Sequence, residues 1–207
     1  MVQTSGVRTL AVRTSAERTS AGGLASGQSS AGRFASVRTS AVAELSSPMS
    51  FEDRYTVYVL TRGLHANVAM ETGVAHGVSS AYILAALRAA GRGRLISIEL
   101  LEDARVGGAV PADLLSRWSL WKGDSARLLP ALLAEAAPVD LFVHDSRHTY
   151  RHMRREFELV WPHLASGGLL CSHDILVNNA YARFIRAHRG EIDGHAEGVN
   201  FGVIKKA

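Results

Sequence analysis

Five places along this 207-residue chain carry side chains that can bind or activate a small molecule. They are Glu71-Thr-Gly73-Val-Ala-His-Gly77-Val-Ser79, Glu99, Gly123-Asp124-Ser125, Asp145 with His148, and His173-Asp174. The first is a glycine loop that opens on a carboxylate. A glycine turn at the carboxyl end of one strand, followed by a second strand ending in an acid, is how a doubly wound sheet holds an adenosine-containing cofactor. The loop lets a ligand approach the backbone closely, and the acid, here Glu99, accepts hydrogen bonds from ribose hydroxyls.

The surrounding pattern supplies the elements such a site needs. Ser50 caps a helix over 51–64, with Glu52 and Asp53 in its first turn. Apolar runs at 67–72, 94–99, 120–122, 139–144 and 169–172 read as strands, and 199–204 as a closing segment. Between them, 78–90, 125–136, 150–164 (broken near Pro162) and 178–188 read as helices, and 101–118 as irregular chain. Strands alternating with helices at this spacing predict an α/β fold, a doubly wound, mostly parallel sheet with helices on both faces. In such sheets ligands bind beyond the carboxyl ends of the strands, and all five polar places sit at predicted strand ends. Taken singly, each has a plainer reading. Gly73 and Gly77 permit turn dihedrals, and Asp124, Ser125 or Asp145 cap the helices that follow.

The loop spacing discriminates between ligands. A dinucleotide fold places Gly-x-Gly-x-x-Gly under a pyrophosphate. Here the spacing is Glu-x-Gly-x-x-x-Gly, with Ala75 where the second glycine would stand, which argues against NAD or FAD. Gly77-Val-Ser79-Ser-Ala81 loosely matches a nucleophile elbow, but only one predicted strand precedes it and Ala81 replaces the second glycine. Ser79 is better read as part of the helix start.

Glu71-x-Gly73-x-x-x-Gly77 with Glu99 resembles the first two motifs of class I S-adenosylmethionine-dependent methyltransferases. Asp140-Leu-Phe-Val-His-Asp145-Ser-Arg-His148-Thr-Tyr150, and Trp161-Pro-His-Leu164 followed by Gly167-Gly168-Leu-Leu-Cys-Ser-His-Asp174, are similar to the strand-four and strand-five regions of a small-molecule O-methyltransferase-like subgroup. The resemblance covers about residue 50 to the end and implies a Rossmann-like methyltransferase domain over 49–207. It implies that Gly73 and Gly77 underlie the methionine part of S-adenosylmethionine, that Glu71 lies near its ammonium, and that Glu99 holds the ribose. It further implies that Ser79 belongs to the cofactor site, that Asp124 and Ser125 border the adenine, and that Asp145 sits beside the sulfonium.

The implied chemistry is in-line transfer of a methyl group to a small-molecule acceptor hydroxyl, which requires alignment and removal of a proton. His148, three residues past Asp145 and with an ordinary pKa of ~6.5, is the candidate base; a surface histidine at a helix start is the alternative. Some relatives hold magnesium with acids after the fourth and fifth strands. Asp145 and Asp174 occupy such places, with Asn178 or Asn179 nearby, and their oxygens suit Mg2+. His173 departs from that pattern, because an acid is common there and imidazole is a poor magnesium ligand. His144, His152 and His163 show no metal-ligand spacing and read as packing or surface residues. Arg147, Arg151, Arg154 and Arg155 with Glu156 and Glu158 read as a solvated helix face.

Composition bounds the rest. Residues 1–48 are rich in Ser, Thr, Ala, Gly and Arg, with an imperfect Arg-Thr-Ser-Ala recurrence, and predict a disordered tail. An Arg- and Ser-rich, acid-poor start also resembles a transit peptide; an upstream extension before Met49 is the plainer reading. Five arginines against Glu17 and Glu44 give residues 1–49 a charge of +3 out of a total of +4, so the remainder carries +1 and offers no case for nucleic acid. No apolar stretch approaches the ~18 residues of a membrane span. The single Cys171 fits a reducing, cytoplasmic setting. A homo-oligomer is compatible with the sequence, and the acceptor is not fixed by it. Two competing readings stay open: a non-catalytic cofactor-fold binding module, and a hydroxylase-like relative on the same scaffold.

Overall fold

A computed structural model describes residues 49–207; the tail expected over 1–48 lies outside the described residues. Helix α1 spans Phe51–Gly63, and the Asp53 amide donates to Ser50 Oγ at 3.0 Å as its cap. Then follow β1 (Val68–Thr72), α2 (Val78–Ala90), β2 (Arg94–Glu99), a 3-10 turn (Ala112–Arg117) and β3 (Trp118–Lys122). Next come α3 (Ser125–Ala136), β4 (Val139–His144), α4 (Tyr150–Val160), a 3-10 turn at Trp161–His163, β5 (Leu164–His173), α5 (Ala180–Ala187), β6 (Ile192–Glu197) and β7 (Phe201–Lys206). Among the described residues no helix is long and apolar enough to cross a membrane.

The seven strands form one sheet in the order β3-β2-β1-β4-β5-β7-β6. Strands β1 to β5 run parallel, and β7 is antiparallel to both β5 and β6. Both faces are covered, which is why the central strands read as unbroken apolar runs. On one face Met70 and Phe142 pack with Leu129 and Leu133 of α3, Phe157 of α4 and Phe184 of α5. On the other, Ala69, Leu141 and Val143 pack with Val57 of α1 and Ile83, Leu84 and Leu87 of α2. The alternation of Leu141, Phe142 and Val143 between these clusters is the period of two that a strand imposes.

The doubly wound expectation holds, with one strand added. The sequence predicts a single closing segment, whereas β6 and β7 form a hairpin. Most of Ile192-Asp-Gly-His-Ala-Glu197 is exposed, so it has no apolar alternation to reveal a strand. Strand β5 begins earlier than expected, since Gly167 and Gly168 lie within it rather than before it.

The strand order reverses between β1 and β4, and the backbone segments leaving those strands pack closely. The Asp145 amide donates to Thr72 O at 2.8 Å, and the Gly73 amide donates to Ile98 O at 2.9 Å. Gly73 has φ +82°, and a Cβ on it would lie 2.0 Å from the carbonyl oxygen of Asp145. A Gly73→Ala substitution combines left-handed strain with a backbone clash and should cost at least about 2 kcal/mol. The expected outcome is a clearly lower urea midpoint; an unchanged midpoint would show that the two segments separate freely.

Candidate active site

Three backbone positions in the loop after β1 are left-handed: Gly73, Ala75 (φ +45°) and Gly77 (φ +84°). A Cβ on Gly77 would approach Gly107 Cα to 2.8 Å, so the loop packs directly against the segment that follows β2. The amides of Gly107 and Ala109 fasten that segment to the carbonyls of Ala75 and His76 at 2.9 and 2.8 Å.

Glu99, at the end of β2, reaches back to this loop. Its Oε2 accepts from the amides of Val74 and Ala75, both at 2.8 Å, and Oε1 accepts from Leu101 at 2.9 Å. Burial works against its charge, but these backbone donors outweigh it and hold the carboxyl below its ordinary value. Glu71, at the end of β1, is buried differently. It accepts only from hydroxyls: Ser79 at 3.0 Å, Ser97 at 2.7 Å, and a close contact from Ser80. Burial dominates there and raises the carboxyl to about 7, with the serines opposing. Ser79 therefore serves Glu71, and Gly77 begins α2 without a side-chain cap.

Across the switch point stands a second group. His148 Nε2 lies 3.5 Å from Asp145 Oδ1, and its Nδ1 lies 3.3 Å from Asp174 Oδ2. His173 Nδ1 lies 3.2 Å from Asp145 Oδ1 and 3.5 Å from Asp174 Oδ1. Despite this proximity, Asp145 Oδ1, His148 Nε2 and His173 Nδ1 make no hydrogen bond of acceptable geometry among the described residues. Asp174 is left-handed (φ +54°) and accepts closely from Asn200 Nδ2. Burial, and then His144, depress the His148 pKa. Burial also acts to depress His173, but Asp145 overrides it and raises that imidazole.

Beneath both groups lies Glu156, wholly buried on α4. Its Oε2 accepts from Thr72 Oγ1 and lies 2.6 Å from His144 Nδ1. Its Oε1 accepts from Ser125 and, at 3.0 Å, from Ser146, and lies 2.8 Å from His152 Nε2. Burial opposes the charge, yet these imidazoles and hydroxyls hold the carboxyl well below the carboxylate range. The solvated helix face read from the charges of α4 is therefore corrected at Glu156. Its arginine neighbours face outward, while Glu156 ties together β1, β4, α3 and α4. His144 is likewise a network residue, fully buried, rather than simple packing.

The residues named from the sequence thus fall into three sets. Glu71, Gly73, Gly77, Ser79 and Glu99 form the loop cradle. Asp145, His148 and Asp174 form the second group, joined by His173, which the sequence placed at a strand end and marked as a departure from the magnesium pattern. Asp124 caps α3, accepting from Ala126 at 2.9 Å, and Ser125 turns inward to Glu156.

Residues 70–175 match the sequence model of a methyltransferase-domain family. Over 83 residues, 40% of this chain, the sequence is 28% identical to L-olivosyl-oleandolide 3-O-methyltransferase of Streptomyces antibioticus, and the match spans only 20% of that relative's length. An O-methyltransferase from Bacillus cereus solved in complex with SAH superposes with a TM-score of 0.66 at 16% identity, covering 80% of this chain and 86% of its own. A methyltransferase of the mycinamycin biosynthetic pathway, solved with Mg, SAH and mycinamycin VI, superposes with a TM-score of 0.62 at 15% identity, covering 78% of this chain and 51% of its own. At such identities the structural likeness establishes the fold, which is the Rossmann-like methyltransferase fold.

Glu71 gives the site a pH signature. Folded, its carboxyl keeps a proton up to about pH 7, whereas the unfolded chain releases it near 4.5. Between those values the unfolded state binds fewer protons, so stability falls as pH rises. The contribution is full below the lower value and lost through the upper one, and it amounts to about 3 kcal/mol at ~1.4 kcal/mol per unit. Urea unfolding from about pH 5 to pH 8 should show wild type losing ground to Glu71→Gln as pH rises. Parallel curves would contradict the buried, protonated carboxyl.

Proposed function

The chain belongs to the methyltransferase-domain family, and we propose that it transfers a methyl group from S-adenosylmethionine to a hydroxyl of a small molecule such as a sugar or secondary metabolite. The observation that carries this reading is the backbone contact of Gly73 with Asp145, which sets a cofactor-type loop beside a cluster of proton-accepting side chains. When bound, S-adenosylmethionine supplies a methyl group already activated on a sulfonium.

The chain's own residues supply placement and proton removal. Glu71, its carboxyl raised to about 7 by burial, gains a reason to ionise when an ammonium lies near the loop, so binding energy and deprotonation are coupled there. Glu99 has three accepted backbone bonds and a lone-pair position left on a two-oxygen carboxylate, which suits it to ribose hydroxyls as well as to the loop. The exposed Leu100 and Leu101 beside it offer apolar surface to a purine. Asp124 and Ser125, at the start of α3, would border that ring, with Ser125 acting through its backbone because its hydroxyl is committed to Glu156.

Asp145 brings negative charge to the place where a sulfonium would lie. His148 is the proposed base, because its side chain is partly open, whereas that of His173 is almost closed. A depressed pKa keeps its imidazole neutral and able to take the acceptor's proton. A nearly uncharged domain, +1 over residues 50–207, favours a small acceptor over nucleic acid. Placement in the cytoplasm is part of the proposal and rests on the lone buried thiol of Cys171.

Label transfer from S-adenosylmethionine to a panel of hydroxyl acceptors tests the reading. In ion-free protein, His148→Ala should lower turnover by about 10²–10⁴-fold with cofactor affinity kept, and Glu99→Ala should weaken cofactor binding at least ~10-fold. Unchanged turnover in the histidine variant would remove it from the mechanism. Cofactor binding with no transfer to any acceptor would favour the non-catalytic module.

A further inference from the structure

The donor set beside the loop is unlike the one magnesium prefers. Magnesium takes oxygen ligands in near-octahedral geometry and sheds its waters reluctantly. Asp145, His148 and His173 instead present one carboxylate and two imidazoles, with ligand atoms all within 4.8 Å of one another. We propose that this cluster binds a first-row divalent transition cation through Asp145 Oδ1, His148 Nε2 and His173 Nδ1, with Asp174 orienting His148 from behind. The proposal shares the site of the methyl-transfer reading, but its readout does not require turnover.

Three observations carry it. First, the three proposed donor atoms are those left without hydrogen-bond partners in the cluster, and His173 is 97% buried, being 3% exposed. Buried polar atoms are ordinarily paired, and unpaired ones facing a common point call for an unseen partner. Second, the spacings from the carboxylate suit one ion. Metal–ligand bonds of ~2.1 Å place neighbouring donors about 3.0–3.4 Å apart, and Asp145 Oδ1 stands 3.5 Å from His148 Nε2 and 3.2 Å from His173 Nδ1, with the two imidazole donors within 4.8 Å of each other. Third, Asp174 holds a left-handed backbone that few non-glycine residues adopt, and its Oδ2 sits 3.3 Å from the other nitrogen of His148. A carboxylate behind a ligating imidazole fixes its tautomer and orientation, which is the usual partner of a metal-bound histidine.

Imidazole suits zinc, iron and nickel, and two histidines with one carboxylate are a set that transition ions occupy with positions to spare. A consequence follows for His148. With Nε2 on an ion it is no longer a free base, so its proton-accepting role belongs to the ion-free protein.

The test uses the full chain, stripped with chelator and titrated with Co2+ in the absence of any cofactor. One equivalent should bind per chain, with visible d–d absorption and a raised thermal midpoint, and about a thousandfold excess of Mg2+ should leave that absorption in place. Asp145→Asn and His148→Ala should each weaken Co2+ binding by at least tenfold, and Asp174→Asn by about 10–100-fold. The partly open His148 is the deciding position, because His173→Ala risks unfolding; circular dichroism checks each variant. Displacement of Co2+ by an equal concentration of Mg2+ would overturn the proposal, as would unchanged Co2+ affinity in folded His148→Ala. Co2+ binding, with no methyl transfer by the ion-free protein to any acceptor, leaves the cation site standing and sinks the proposed reaction; transfer by the ion-free protein with no Co2+ binding does the opposite.

Discussion

The backbone of Gly73 runs against the carbonyl of Asp145 so closely that no side chain fits at position 73. This contact lies at the point where the strand order reverses, the place where an open α/β sheet leaves a crevice. Everything chemically distinctive hangs from it. On one side the backbone continues into the left-handed turns of the loop. On the other it presents Asp145, and three residues later His148, to the strand-five end that carries His173 and Asp174. Were β1 and β4 even slightly further apart, the loop and the polar cluster would become separate features.

Around this crossing the protein buries three glutamates and treats each differently. Glu99 is met by backbone amides, which favour the ion, so it stays charged and braces the loop. Glu156 is met by His144 and His152 as well as hydroxyls, and it too stays charged, binding four elements together from beneath. Glu71 is met by hydroxyls alone, and these do not offset its burial. It is accordingly the glutamate of the three whose charge is poised to change near neutrality. It sits at the root of the loop, just before Gly73. Stability and responsiveness are thus divided between neighbouring carboxyl groups by the kind of donor each receives.

Much of this was legible in the sequence because it depends on local pattern. The glycine spacing, the acid closing β2 and the strand-end placement of Asp145 and Asp174 are short-range features, and they picked out residues that the fold brings together. What was not legible depends on which face a residue turns to, and on partners far along the chain. Glu156 sits among arginines on α4 and looks solvated, but the helix rotates it toward Thr72, 84 positions earlier. Ser125 looks like a helix-start residue open to a ligand, yet the same glutamate draws it inward. His173 was visible as a departure from the magnesium pattern, but its pairing with His148 needed the loop after β4 to fold back across β5. Strand β6 escaped notice because an exposed edge strand carries no apolar alternation.

The central claim is that the loop and the polar cluster form a single site joined at the Gly73–Asp145 crossing. A crystal structure with S-adenosylhomocysteine bound tests it most directly. The ribose hydroxyls should lie against Glu99, the amino group near Glu71, and the sulfur should face Asp145 and His148. A ligand bound elsewhere, or one whose sulfur points away from Asp145 with the histidines on the far side, would contradict the account.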